Sequence, residues 1–481
     1  MIERRRLLGN SLSLLANRLT QSITAFVLVA AIARILGPYQ LGQYMLAFSY
    51  YFVFMTLASQ GLKTLFTREL AVNPSETPVY LVSGTLLQLI FSLIGYVALA
   101  IVVFVLPYSP DTSIVCYVMG LAIIPFSLSN ITEAIFQAQE KMYLIAISTV
   151  PVYILRVLVM IWAMNLKYNI SVLSAILTIS EALILLIEWG CIVRLVKPKW
   201  KINWEFVWRT TKASRTFMVI EGMAVLKERM QVLILSLLGG EVVVGLFGGI
   251  TQLMQPFQII SYSLILAIFP GMSKAVSLGR EKQRQLAGSL VEMLLCIALP
   301  FTVGLFFIGR GLLVLLYRQP SFAGASVALN VIALGLIASS FGRPLSYALV
   351  ANGFERINLM EVSVNTVIGG LLSVVLVSKY QLNGAALALL SLQVISCLIY
   401  VYYVYKHLFT LQIWRTLRRP ILISILMAAV FLGLQKFSQD TVIIMLIASA
   451  AYTLIVIILG VYALGGPGAV SAKLLRKKQE S

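Results

Sequence analysis

The chain is poor in acids, in cysteine and in histidine. Its 481 residues include 18 Asp and Glu, four Cys and one His, and charged residues of both signs make up only 11%. Cys116, Cys191, Cys296 and Cys397 all lie inside apolar runs, and no two are close in sequence. They read as core residues, not as a disulfide or metal framework. His407 falls in a predicted loop, which leaves histidine catalysis and histidine metal sites without material. No Walker motif is present, so the chain is not expected to use ATP, and no cofactor is expected.

What the chain has instead is apolar sequence, 60% of all residues. A soluble fold could not hide that much surface, so the sequence reads as a polytopic, all-α membrane protein. A spanning helix takes about 20 apolar residues. Fourteen runs of suitable length are predicted, near 8–36, 41–62, 79–106, 113–138, 142–165, 170–195, 214–239, 242–272, 286–316, 323–351, 356–378, 382–405, 420–436 and 441–464. They are continuous and lack period-2 alternation, which excludes a β-barrel. The connections are too short to hold a soluble domain.

The formal charge of +19 is mostly topology. Arg4 to Arg6, Lys63 and Arg68, Lys141, Arg194 to Arg215, Lys274 to Arg284, Arg356, Lys406 to Arg419 and Lys473 to Lys478 alternate onto one side of the predicted spans. By the positive-inside rule that side is cytoplasmic and holds both termini. Lipid headgroups, not nucleic acid, are the expected counter-surface. The basic start followed by Ala31-Ile32-Ala33 imitates a signal peptide, but the segment is too polar for an h-region and is expected to be kept. The longest connection, 196–213, carries Trp200, Trp204 and Trp208 at spacing four, which predicts a short interfacial helix linking two halves.

An internal repeat organises those halves. Gly37-Pro38-Tyr39-Gln40-Leu41-Gly42-Gln43-Tyr44 and Gly240-Glu241-Val242-Val243-Val244-Gly245-Leu246-Phe247 both read G-x-x-x-x-G-x-aromatic, at an offset of 203. A looser echo pairs 137–141 with 350–356. Six spans separate the copies, so they share one orientation. The expected architecture is two six-helix lobes, 1–195 and 214–405, related by a parallel pseudo-two-fold axis, with two more helices and a basic tail in 406–481. Substrate sites in such folds lie between lobes.

Charged and polar groups inside the spans are the candidate site residues, because each costs ~2.5–3.5 kcal/mol at a helix centre on insertion scales and needs a partner or water. The first span places Asn10, Ser13, Asn17, Gln21 and Thr24 on one stripe, with Arg18 at its edge. The repeat sets Arg18 opposite Glu221, and the two are expected to flank a cavity and to pair in one conformation; snorkelling of Arg18 is the alternative. The seventh span carries Lys227, Glu228 and Arg229 consecutively. Lys227 and Arg229 suit a pyrophosphate, and pairing with Glu221, Glu228 and Glu133 is the structural alternative. Asn130, Glu133 and Gln137 share a face of the fourth span. Gln252, Gln255 and Tyr262 share one of the eighth, where Pro256 is expected to bend the helix, and Ser340, Arg343 and Tyr347 one of the tenth. Such groups suit sugar hydroxyls or act as polar glue between helices. Glu361 and Asn365 could hold a coupling Na+ or H+, or Glu361 could be solvated.

The basic N-terminus, Ala33-Arg34-Ile35-Leu36-Gly37-Pro38 with Gly42 and Tyr44, Gly61-Leu62 with Arg68, and Gly245 with Phe247 resemble the polysaccharide (Wzx-type) flippase branch of the multidrug/oligosaccharidyl-lipid/polysaccharide (MOP) exporter superfamily. The resemblance implies an alternating-access transporter that moves polyprenyl-pyrophosphate-linked oligosaccharide to the outer leaflet of a bacterial inner membrane. It also implies polymerase and glycosyltransferase partners. A multidrug antiporter or a lipid II flippase on the same fold is the alternative. The candidate cavity residues Arg18, Lys227, Arg229 and Arg343 are basic, which favours an anionic cargo over organic cations. An enzyme is not expected, because the outer loops are too small to carry a catalytic apparatus.

Overall fold

The computed structural model describes residues 2–198, 200–437 and 440–463. The side chain of Asn10 and the tail Lys473 to Lys478 lie outside what is described. Among the described residues there are helices and no strands. The helices are α1 (Ile2–Ile35), α2 (Gly37–Val72), α3 (Pro74–Val105), α4 (Pro110–Ala138), α5 (Met142–Asn165), α6 (Ile170–Leu195), α7 (204–239), α8 (241–278), α9 (Arg280–Tyr317), α10 (Pro320–Ala351), α11 (355–380), α12 (382–407), α13 (Ile413–Phe437) and α14 (Thr441–Ala463). Among the described residues twelve helical segments are long and apolar enough to cross a membrane. One of these, Glu355–His407, is really α11 and α12, which meet at Gln381 (φ 45°, ψ −116°), and α14 adds the last. Among the described residues the protein is therefore an all-α, multi-pass membrane protein with fourteen helices, the last of them, α14, shorter in its apolar stretch than the other spans.

Several helix ends differ from the sequence expectation by five to ten residues, and three features of the helices differ for an evident local reason. α2 does not stop near residue 62. Gln60 (φ 46°) and Gly61 (φ 67°) both turn left-handed, and a second helical stretch, Leu62–Val72, follows. The interfacial helix expected in 196–213 is not a separate element. Asn203 caps its start, its Oδ1 accepting from the Phe206 N–H at 3.1 Å, and the helix then runs unbroken to Gly240. Phe206 and Val207 bury against Phe66 and Tyr80, while Trp204 and Trp208 stay exposed. The break in α8 falls at Leu253-Met254, and Pro256 sits in the first turn of the stretch that follows, where a proline costs no hydrogen bond.

The repeated turns have repeated backbones. Gly37 (φ 86°) and Gly240 (φ 77°) adopt the left-handed region that glycine alone enters freely. At the ends of α4 and α10, Glu140 (φ 56°) and Gly353 (φ 79°) do the same. Each is followed by an N–H that reaches five residues back, Lys141 to the Phe136 carbonyl (2.8 Å) and Phe354 to the Leu349 carbonyl (3.0 Å). The looser echo in sequence is thus one capping motif used twice.

Packing groups the chain into two compact units, Met1–Gln252 with Val362–Ala388, and Leu253–Glu361 with Leu389–Ser481. The first unit has its core around Phe66, Tyr80, Phe136 and Phe206. The second has one core around Ile265, Leu290, Leu345 and Val404, and a smaller one where Phe431 and Phe307 stack at 5.6 Å.

Candidate functional site

Within the first unit, α2 and α7 run along each other, and the predicted groups Glu221, Lys227 and Arg229 of α7 lie along this pair. α2 places Tyr44, Phe48 and Phe52 at spacing four, and the rings stack in a column with centroids 6.2 Å apart at each step. Arg229 of α7 lies on that column, its guanidinium carbon 4.5 Å from the Phe52 ring centre and 5.6 Å from Phe48. The aromatic faces supply the negative potential that a membrane-embedded cation lacks. Its nearest carboxylate, Glu228, is 3.4 Å away and largely exposed. The Arg229 Nε is buried and makes no hydrogen bond. The cation is thus held by rings, with one buried donor left unsatisfied. Lys227 is half-buried two residues before it.

Each end of the seam is closed by hydrogen bonds. At the glycine-turn end, Gln43 donates to the Thr112 hydroxyl (3.0 Å), which donates to the Glu241 carboxylate (2.8 Å). Tyr108 bonds to both Tyr50 (2.8 Å) and Ser236 (2.9 Å). Burial raises the Tyr108 phenol above its ordinary pKa, so it remains a protonated donor. Between these bonds the two glycine turns interlock. A Cβ on Gly42 would sit 1.7 Å from the Glu241 carbonyl oxygen, and one on Gly245 would sit 1.9 Å from that of Pro38. At the opposite end, Ser214 donates to Gln60 (2.8 Å), and Glu221 takes a hydrogen bond from the Gly61 backbone.

Asn130 and Glu133 join that second end. Asn130 donates to Ser59 at 3.1 Å, and Glu133 forms an ion pair with Lys63. Lys63 lies just beyond the Gln60-Gly61 break, and the helix that follows the break carries it back to α4. Glu133 is therefore not a counter-ion of Lys227 or Arg229.

The stripe on α1 splits. Asn17 turns to α5 and accepts from Thr149 (3.0 Å), and Thr24 bonds to its own helix. Arg18 and Gln21 are exposed. Among the described residues no ion pair joins Arg18 to Glu221. Gln252 ends the first unit, half-buried, whereas Gln255 and Tyr262 belong to the second and are exposed. Arg343, also in the second unit, is half-buried one turn from Tyr347, whose ring packs edge-on against Phe269 (5.4 Å).

Glu361 is not solvated. It is 2% exposed and accepts hydrogen bonds from Ser396 and Tyr400, all in the second unit. Asn365 is fully buried and belongs to the first. Where α7, α11 and α12 converge, the polar group is neutral. Gln231 donates to the Ala385 carbonyl (2.9 Å) and accepts from Ser373 (2.8 Å).

Two acids on α6 were not singled out from the sequence. Glu181 accepts from Arg156 at 2.8 Å, and Arg156 also lies over Tyr153. Glu188, fully buried, accepts from Thr132 (2.5 Å) and Ser148 (3.0 Å). The available signal was spacing. Seven residues put both acids on one helical face of a span whose only other charge is Arg194 in its last turn.

The sequence matches the model of the polysaccharide biosynthesis protein family over residues 7–276, more than half of the chain. The chain belongs to that family. Solved structures with this fold include lipid II flippase MurJ in an inward closed conformation, with a TM-score of 0.72 and 18% identity, covering 92% of this chain and 97% of that one. A MATE family multidrug resistance transporter of the MOP superfamily, inward-facing, gives 0.64 and 14%, covering 80% and 94%. A Pyrococcus furiosus MOP transporter described as having a binding pocket of reverse polarity gives 0.58 and 12%, covering 83% and 95%. No curated protein sequence matches significantly. The chain is thus a polysaccharide biosynthesis family protein with the fold of these solved structures.

Proposed function

We propose that this family member flips a polyprenyl-pyrophosphate-linked oligosaccharide from the cytoplasmic to the outer leaflet of a bacterial inner membrane, by alternating access between two six-helix lobes, for export of a surface polysaccharide. The observation that carries this reading is Arg229, a cation on an aromatic column with an unsatisfied donor. An anionic headgroup satisfies it, whereas an organic cation would be repelled. Both termini are cytoplasmic in this reading, following the basic loops. An apolar groove of about 380 Å³ lined by Phe301, Ile308, Met427, Phe431, Met445 and Tyr452 suits the prenyl chain.

The test is to replace Lys227 and Arg229 with Gln and follow lipid-linked sugar on each leaflet. Two charge-assisted contacts of ~1.5–3 kcal/mol each imply a fall in flipping of at least about a hundredfold. Undiminished flipping at normal protein levels would overturn the reading, as would binding of organic cations with indifference to prenyl pyrophosphates.

Coupling to an ion gradient follows from the absence of an ATP motif. We assign it to Glu361, a buried carboxylate that accepts hydrogen bonds from Ser396 and Tyr400. Glu361→Gln keeps the shape but cannot exchange a proton. The expected result is flipping that continues down a substrate gradient but no longer responds to an imposed pH step. A variant that keeps the full pH response rules Glu361 out.

A further inference from the structure

In the second unit the starts of α9 and α13 meet and enclose a polar pocket of about 280 Å³. It is lined by Arg284, Arg415, Arg418 and Arg419 with Glu281 and Glu292, over a floor of Gly288 and Thr416. Each carboxylate is already engaged. Glu281 accepts from Arg284 at 2.7 Å and Glu292 from Arg419 at 3.0 Å. Arg415 and Arg418 have no hydrogen-bond or ion-pair partner among the described residues. The pocket therefore carries two uncompensated positive charges, and its paired arginines are held in position with N–H groups left over. Two helix starts add positive dipole ends. Gly288 leaves the floor open, since a Cβ there would meet only Leu411 at 3.8 Å and Thr416 at 3.9 Å.

The position matters as much as the charge. Trp414, 76% exposed, stands beside Arg415, and such a tryptophan marks headgroup depth in a membrane protein. None of these groups belongs to the α2–α7 seam. We infer that this pocket binds the phosphate groups of an anionic lipid headgroup in the leaflet on the basic side, as a site separate from the transport seam. Guanidinium forks recognise phosphate oxygens, and a net charge of two suits a headgroup with two phosphates or two single ones.

The experiment uses the full chain in nanodiscs of zwitterionic lipid, alone or doped with phosphatidylglycerol or cardiolipin, with retained lipid counted by native mass spectrometry. Arg415→Gln with Arg418→Gln is expected to lower anionic-lipid retention about thirtyfold, the effect of two basic groups near a charged surface. Gly288→Leu, which fills the floor without changing charge, is expected to lower it similarly. Lys282→Gln, a neighbouring charge outside the pocket, is expected to leave it within about twofold. In a second arm, inorganic phosphate or pyrophosphate is added to zwitterionic discs. Thermal stabilisation there that is lost in the double variant supports the phosphate site and assigns its source to the aqueous phase. Retention of anionic lipid by the double variant at the wild-type level overturns the site. So does a Lys282→Gln loss as large as the pocket variants', which would reduce the effect to general surface charge. Normal flipping in the double variant separates this result from the fate of the Arg229 proposal.

Discussion

Gly42→Ala and Gly245→Ala are each expected to break the packing between the two glycine turns. The added methyl cannot be accommodated by a side-chain rotation, because the atoms it meets are backbone carbonyl oxygens at 1.7 and 1.9 Å. The helices must separate, and the Gln43–Thr112–Glu241 bonds beside them must stretch or break. The cost is expected at or above the top of the ~1–3 kcal/mol range for overpacking. The measurement is thermal unfolding of the detergent-solubilised chain, set against Gly190→Ala and Gly433→Ala, where an added Cβ meets nothing within 4 Å. Those two controls gain helix propensity and should hold or raise stability by up to about 1 kcal/mol. If Gly42→Ala melts with the controls, the turns do not interlock as described.

The second large effect concerns the buried pair on α5 and α6. Glu181→Ala removes the carboxylate that accepts from Arg156 and leaves a largely buried guanidinium, 13% exposed, with only the Ser180 hydroxyl and the Tyr153 ring beside it. Stranding a buried charge costs ~3–5 kcal/mol, while replacing both partners with apolar groups of similar size is often neutral. Glu181→Ala should therefore unfold far below the wild type, and the double variant Arg156→Met with Glu181→Leu should recover most of the loss. A double variant no better than the single one would show that Arg156 finds another partner or reaches water. Glu188 makes a contrast. Its partners are hydroxyls, so Glu188→Gln keeps hydrogen bonds and should cost much less.

The sequence was most legible where chemistry leaves few choices. Apolar runs of spanning length give the helix count, and only glycine enters the left-handed region freely, so Gly37 and Gly240 announced matching turns. Rotation about a helix axis was less legible. Lys227, Glu228 and Arg229 sweep more than half a circumference, and nothing in one sequence says which of them faces the Phe48–Phe52 column. Sequence reasoning also placed Lys63 in a loop, because a break at Gln60-Gly61 looks like an end. Two left-handed residues let the helix resume, and the resumed helix delivers Lys63 to Glu133. Glu361 could be read as solvated because it lies near a predicted helix start. It is buried because α12 supplies Ser396 and Tyr400 over it. In each case the missing information is which neighbour covers a residue, and that is fixed by packing between distant segments.

The interlocked turns also bear on descent. Gly42 lies against Glu241 and Gly245 lies against Pro38, and in each pairing the counterparts are 203 residues apart. A contact in which each member meets the other's equivalent is what two identical chains make across a two-fold axis. A half-length precursor carrying a single glycine turn has in that turn the means to pair with its own copy. Fusing two such genes would preserve the joint unchanged, leaving the rest of each copy, Arg18 in one and Arg229 in the other, free to diverge.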